Sequence, residues 1–221
     1  MTAFEALISI AQVNIGALST LAAAFGGAWL AFRFESVRRQ KERRDQEAEQ
    51  FQRIVFLLGM QLNTIEQFSR DALMPHHDKP CRELWIPAVN LPVPLKSFAI
   101  EFQGLAPLLK SEYLGFGFAA VVANARAEAL ATLVDRRESL HITEYQQQLR
   151  LVPPSASDGR TIKEIQDHCD DATLQTLKRY TDEIYEQTEA TLEKLDSALE
   201  LAARVMAAKF KGYEFTVMRR S

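Results

Sequence analysis

The feature that most constrains this chain is a run of 27 residues without a charged side chain, at positions 6–32, between Glu5 and Arg33. A helix of this length, rising about 1.5 Å per residue, measures about 40 Å, and about 20 residues are enough to cross a bilayer core. A soluble helix usually shows a charged face to water, and a signal peptide has a basic start and a shorter apolar stretch. The run therefore predicts an uncleaved transmembrane helix, preceded by a short extracytoplasmic segment at 1–5.

The residues that follow the run predict the orientation of the chain. Positions 33–44 combine two acids with six bases, which are Arg33, Arg38, Arg39, Lys41, Arg43 and Arg44. Because Lys and Arg next to a span remain on the cytoplasmic side, we expect the N-terminus outside the inner (plasma) membrane and the rest of the chain in the cytoplasm. The bases also suit attraction to anionic headgroups, although a role in topology alone explains them equally well.

Small residues recur along the predicted span at a spacing that lets helices approach closely in lipid. The row consists of Gly16, Thr20, Ala24 and Ala28, with Gly27 in an adjacent row, and it predicts self-association. Such rows are also common in any Ala-rich helix. Polar side chains in a span usually avoid lipid, so in an assembly Gln12, Asn14 and Ser19 are the candidates to face inward and line a pore.

The rest of the chain reads as long helices, which predicts an all-α protein. We expect a charged helical stalk at 33–50 that continues the span, and a cytoplasmic antiparallel bundle or coiled coil at 51–211, followed by a basic tail at 212–221. Apolar residues spaced three and four apart define the first packed face, and they are Phe51, Ile54, Val55, Leu58, Leu62, Ile65 and Phe68. A heptad pattern marks the last helix: Tyr185, Leu192, Leu199 and Met206, interleaved with Thr188, Leu195 and Ala202. We expect these two faces to pack together within one chain.

Shorter signals divide the region between these helices. A helix over 119–140 has a light apolar stripe at Phe118, Val122, Ala125, Ala129 and Leu133, which favours a close helix contact. The paired prolines and the Ser, Asp and Gly of 152–159 predict a turn. Thr161 and Glu164 fit a capping box, which predicts that the last helix starts there and runs to about Lys211.

The segment 74–96 contains five of the eight prolines and predicts an irregular insert rather than helix. Its apolar side chains indicate that it packs on the helices. Long irregular segments in compact domains often carry function, so Trp85, Ile86 and Val89 are the candidate partner surface. The alternative is a packed structural connection.

Little in the sequence points to chemistry. A net charge of −3 gives no basic face for nucleic acid. Two groups of His, Cys and Asp residues lack the ligand spacing of zinc sites, and these are His76, His77, Asp78 and Cys81, and His168, Cys169, Asp170 and Asp171. No phosphate loop or hydrolase motif is present. We therefore expect no enzyme activity, no cofactor and no bound metal.

Two functions agree with this pattern. The first is a membrane-tethered interaction protein, in which the cytoplasmic helices bind a protein partner or their own copies as a homo-oligomer. The alternative is a membrane effector, in which oligomerisation brings the spans together and permeabilises the membrane. That alternative is similar, in architecture alone, to small anchored effectors of bacterial defence systems.

Overall fold

The computed structural model describes residues 3–88, 91, 98, 100, 109, 113–152 and 161–213, and their side chains from residue 24 onward. Every element in these ranges is helical and none is a strand, so the predicted all-α class is confirmed. The α-helices are α1 (Ala3–Phe68), α2 (Arg82–Trp85), α3 (Leu114–Leu140), α4 (Gln146–Leu151), α5 (Ile162–His168) and α6 (Asp171–Lys209). Two π-helical turns (Ser69–Leu73 and His141–Tyr145) and a 3₁₀ turn (Met74–His76) extend α1 and α3.

The chain forms two compact units, residues 1–49 and 50–221. In the first unit, the described side chains from residue 24 to residue 46 are all exposed. The second unit contains the packed helices, and its apolar core is described below.

The α1 stripe predicted from the sequence is confirmed. All seven predicted residues, from Phe51 to Phe68, are buried. At one end of the stripe the Phe51 ring packs against Phe116 at 4.8 Å and against Phe210 at 5.2 Å between ring centroids. Because Phe116 begins α3 and Phe210 follows α6, this aromatic cluster joins all three long helices of the second unit.

Helices α3 and α6 run antiparallel, because Arg126 bonds to Gln187 while Arg137, further along α3, bonds to Thr181, earlier in α6. The buried residues of both helices are mostly small. On α3 they include Ala120, Ala123, Ala127 and Ala131, and on α6 they include Thr181, Thr188, Thr191, Ala198 and Ala202. Small side chains let helices approach closely, so the short Ala and Thr side chains of α3 and α6 favour tight packing within this unit.

The heptad prediction for α6 is correct for one of its two rows. Thr188, Leu195 and Ala202 are buried as expected. The other buried row starts from Leu177 and Ile184, while the predicted row that starts from Tyr185 is only half-buried. The predicted seven-residue period is correct. The second row was predicted one position too far along the chain, at Tyr185 instead of Ile184, because the prediction followed the larger apolar residues.

The predicted contact stripe of α3 is mostly not used for packing within the described part of the chain. Leu133 is buried, and the other four residues, Phe118, Val122, Ala125 and Ala129, are exposed. The face that packs on the rest of the unit is the opposite one, which includes Phe116 and Leu130. Because α3 is apolar on both faces, its periodicity does not identify the buried one.

The capping box at Thr161 and Glu164 is confirmed, with both reciprocal hydrogen bonds present. The expected single last helix is interrupted, however, between His168 and Asp171. Asp170 caps the following helix, since its carboxylate accepts from the Thr173 amide at 2.8 Å. Asp170 therefore starts α6 as its N-cap.

The last helix ends at Lys209, and Gly212 adopts a left-handed backbone with φ of +94°, as a chain-reversing glycine does. The predicted turn after residue 152 and the last eight residues of the tail lie outside the described residues.

Candidate functional site

The end of the predicted span presents apolar side chains on an exposed helix. Phe25, Trp29, Leu30 and Phe32 are all exposed on α1 within two turns of Arg33. The Arg33 guanidinium lies over the Trp29 ring, 5.4 Å from its centroid. Trp beside a base is the arrangement found where a membrane helix meets the headgroups. This end of the helix therefore has the chemistry of a membrane interface.

Both acids of the predicted topology segment are neutralised within α1. Arg38 bonds to Glu42 at 2.8 Å and Arg39 bonds to Glu35 at 2.9 Å, each one helical turn apart. The hydrogen bond with Glu42 raises the pKa of Arg38. Within the described part of the chain, no ion pair involves Lys41, Arg43 or Arg44. The positive charge of this segment therefore points outward from the helix.

The predicted self-association row is only partly described. Side chains at Gly16 and Thr20, and the polar candidates Gln12, Asn14 and Ser19, lie outside the described residues. Ala24, Gly27 and Ala28 are exposed, and a Cβ added at Gly27 meets no atom within 4 Å. This part of the row is accessible to another helix.

The middle of the Pro-rich insert is held by one buried arginine. Arg137 of α3 donates to the carbonyls of Glu83, Ile86 and Pro87 at 3.2, 2.8 and 3.1 Å, and to the Thr181 hydroxyl at 2.9 Å. Burial lowers the pKa of Arg137 to about 10, so it remains charged at neutral pH. Glu83 lies within α2, and Ile86 and Pro87 follow its last residue. An Arg side chain at this C-terminal end complements the negative end of the helix dipole.

Residues near the far end of the insert are held by a buried amide pair. Gln61 of α1 donates to the Phe98 carbonyl at 3.0 Å and to Asn124 Oδ1 at 2.8 Å. Asn124 in turn accepts from the Ile100 amide at 3.0 Å. Polar side chains of α3 thus hold the chain at the middle of the insert, through Arg137, and just beyond its end, through Asn124.

Of the two described residues of the predicted partner surface, Trp85 is accessible and Ile86 is not. Its side chain is 45% exposed, and its ring nitrogen donates to the Pro80 carbonyl at 3.0 Å, which fixes the ring. Ile86 is 1% exposed and belongs to the core, so its assignment to a partner surface is wrong. Its carbonyl bonds to Arg137, which turns the chain inward at this point. Val89 lies outside the described residues.

A second cluster fixes the turn after α1. The Tyr185 hydroxyl donates to the Leu73 carbonyl at 2.6 Å, and the Arg82 guanidinium lies 4.0 Å from the Tyr185 ring centroid. Arg82 also pairs with Asp182 at 2.7 Å.

The candidate metal ligands do not converge: among the described residues no three His, Cys, Asp or Glu side chains lie close enough to hold an ion.

An open polar groove of about 530 Å³ lies between the end of α3 and the start of α6. Its walls include Arg136, Glu144, Asp170 and Tyr180. Asp170 is already bonded to Thr173 and Gln148, and these bonds lower its pKa. The bonds of Asp170 to Thr173 and Gln148 explain its position as the N-cap of α6.

His141, in the π-helical turn that follows α3, is buried. Burial together with the charge of Arg137 lowers the pKa of His141 to about 4.

Sequence reasoning did not single out Arg137, Asn124 or Gln61. Their signal is a polar residue at a position where the helical repeat calls for an apolar one. Since α3 has apolar residues on two opposite faces, the signal of Asn124 and Arg137 becomes visible only when the buried face is known. Gln61 lies within the predicted stripe of α1, so its signal was present in the sequence.

Among the described residues, the helix Leu114–Leu151 is long and apolar enough to cross a membrane. Half of its most apolar stretch is buried inside the second unit, as in the core helix of a soluble fold. The predicted span at 6–32 falls mostly on residues whose side chains are not described.

Comparison with known proteins gives no further guide. No protein-family model matches this chain, and neither the curated proteins nor the solved structures contain a match to it.

Proposed function

We propose that this protein is anchored in the inner membrane by a single helix at residues 6–32, and that its cytoplasmic helical domain binds a protein partner or its own copies there. The observation that carries the proposal is the exposed apolar group of Phe25, Trp29, Leu30 and Phe32, directly before the basic segment. Removing apolar surface from water is worth about 25 cal/mol per Å². A lipid bilayer provides an apolar environment for these exposed side chains.

The apolar helix α3 is not proposed as a second span. Its inner face carries Asn124 and Arg137, both buried and bonded to other parts of the same unit. A span would have to bring Arg137 into lipid, where an Arg at the centre of a helix costs about 3 kcal/mol on insertion scales. The packing of α3 on α6 therefore favours a place in the cytoplasmic domain.

The architecture proposed for that domain is an antiparallel helical bundle. It is supported by the buried stripe of α1 and by the antiparallel contact of α3 with α6. The rigidly held insert favours a binding role, because Trp85 is presented in a fixed orientation by its bond to Pro80. Exposed, ordered Trp side chains are frequent anchors of protein interfaces.

Membrane attachment is tested with the full chain and two matched variants of α1. Leu18→Arg places a charge near the middle of the predicted span, and Phe56→Arg places the same charge at an exposed position of the second unit. We expect the wild-type chain and Phe56→Arg to remain in the membrane pellet after an alkaline wash, and Leu18→Arg to be released or degraded. Wild-type protein in the supernatant after ultracentrifugation without detergent overturns the proposal.

The interaction role is tested on the same membranes by solubilising them in mild detergent and measuring the mass of the purified complex. We expect either a multiple of the 25.0 kDa chain or a complex with a second protein. A single chain at every concentration, confirmed in lipid nanodiscs, contradicts this part of the proposal while leaving the anchor intact.

A further inference from the structure

The outer face of α3 carries an apolar stripe that the fold leaves exposed. We define the outer stripe as Leu114, Phe118, Val122, Ala125 and Ala129. Phe118 is 58% exposed, Val122 45% and Leu114 42%, and both alanines are exposed. At 3.6 residues per turn these five positions fall within a band of about 80° and extend along about 22 Å of helix. The stripe has the width of one helix contact.

This stripe is unusual for a helix at the surface of a folded unit. A helix with one face in a core normally carries polar residues on the other. Here the inner face is buried and the outer face is still apolar, which is why the helix has a mean hydropathy of 1.3 over its most apolar stretch. Contiguous exposed apolar surface of this kind marks an interaction site.

We propose that the outer stripe is covered by the outer stripe of a second copy of this chain, with the two α3 helices side by side and parallel. The inference rests on the proposed function, because two copies anchored in one membrane are held close to each other. Ala125 and Ala129 provide the short side chains that let two helix backbones approach.

The charges beside the stripe support a parallel pair. Glu128 lies on one flank of the stripe and accepts from Asn124 at 2.8 Å, and Arg126 lies on the other flank and donates to Gln187 at 3.5 Å. Both side chains keep their charge for a further partner. A two-fold axis parallel to the helices brings opposite flanks together. Glu128 of each copy then lies beside Arg126 of the other, at nearly the same level as the alanines. An antiparallel pair places the Glu128 flanks of the two copies together, and likewise the Arg126 flanks, so opposite charges no longer meet.

The size of the stripe explains why the anchor is needed. A whole aromatic side chain buries about 150–250 Å², so the exposed parts of the stripe offer on the order of 300 Å² per copy. A standard stable interface buries about 800 Å² per partner. The stripe alone is therefore a weak contact, and tethering both copies in one membrane raises their effective concentration.

Cysteine crosslinking of the full chain in native membranes tests the contact. The variant Ala125→Cys is made in a Cys81→Ser background, since the other native cysteine, Cys169, is buried. The control is Glu189→Cys, an exposed position on α6. A disulfide needs Cα atoms within about 7 Å. We expect oxidation to convert Ala125→Cys into a disulfide-linked dimer at least tenfold more than Glu189→Cys.

A charge exchange then separates the pairing from a structural effect. Glu128→Arg is expected to lower the crosslinked fraction of Ala125→Cys several-fold, and Arg126→Glu combined with Glu128→Arg is expected to restore it. Circular dichroism of each variant checks that the helices are intact, and a charge exchange that fails to restore crosslinking contradicts the parallel arrangement.

The outcomes also separate this inference from the proposed function. Membrane-bound protein that does not crosslink through Ala125→Cys, or that crosslinks there to a different protein, overturns the second-copy contact and leaves the anchor standing. Protein recovered in the supernatant overturns both.

Discussion

Arg137 is the residue through which the anchoring of the Pro-rich insert is best tested. Its guanidinium is buried and makes four hydrogen bonds, three of them to carbonyls of residues 83–87. Substitution by Met keeps an unbranched apolar side chain of similar reach and removes every one of these bonds. If the arginine holds the insert, Arg137→Met destabilises the domain and frees Trp85.

Two opposing effects determine how much Arg137→Met changes the free energy of unfolding. Hydrogen bonds from a charged donor are worth at least about 1.5 kcal/mol each, so four of them contribute about 6 kcal/mol. Burial lowers the pKa of Arg137 from 12.5 to about 10, and at about 1.4 kcal/mol per pKa unit this disfavours the charged form by about 3 kcal/mol. Methionine recovers that penalty, so we expect a net loss of about 3 kcal/mol in the free energy of unfolding.

The assay is unfolding of the detergent-solubilised chain followed by circular dichroism, together with limited proteolysis across residues 77–100. Arg136→Met is the matched control, since the neighbouring arginine is exposed and should change stability by no more than about 0.5 kcal/mol. Equal stability of Arg137→Met and the wild type, with unchanged proteolysis, refutes the reasoning, because the burial penalty would then equal or exceed the hydrogen bonding.

Three further predictions follow from the second unit. Because burial lowers the pKa of His141 from 6.5 to about 4, the unfolded chain binds this proton more readily, so stability should decline by up to about 3 kcal/mol as pH falls from about 6.5 to 4. Unfolding midpoints at pH 7 and 4.5 check this, and His141→Leu should flatten the dependence. Ala127→Leu should cost about 1–3 kcal/mol by overpacking the α3–α6 contact, whereas Ala125→Leu on the exposed face should cost little; thermal unfolding compares them. Thr161→Ala should cost about 1 kcal/mol through the lost cap, and amide hydrogen exchange at the start of α5 measures it, with unchanged protection counting against the cap.

Features that depend on local patterns were readable from the sequence. The stripe from Phe51 to Phe68 is amphipathic, so its period of 3.6 residues identifies the buried side, and all seven residues are buried. The capping box at Thr161 and Glu164 needs only residues three apart, and it forms as expected. The uncharged run at 6–32 and the bases that follow it are likewise properties of the amino-acid order alone.

Pairing within the second unit was decided by the tertiary structure. Helix α3 is apolar on both faces, so its periodicity carries no information about which face packs. In the folded unit the buried face is the one with Ala120, Ala123 and Ala127. The same packing buries Arg137 opposite the insert and turns Ile86 into the core while leaving Trp85 exposed. A polar side chain buried in an apolar helix is stable only where bonding partners distant in sequence converge on it. That convergence is a property of the folded chain, and it is why the anchoring of the insert by Arg137 emerges only in three dimensions.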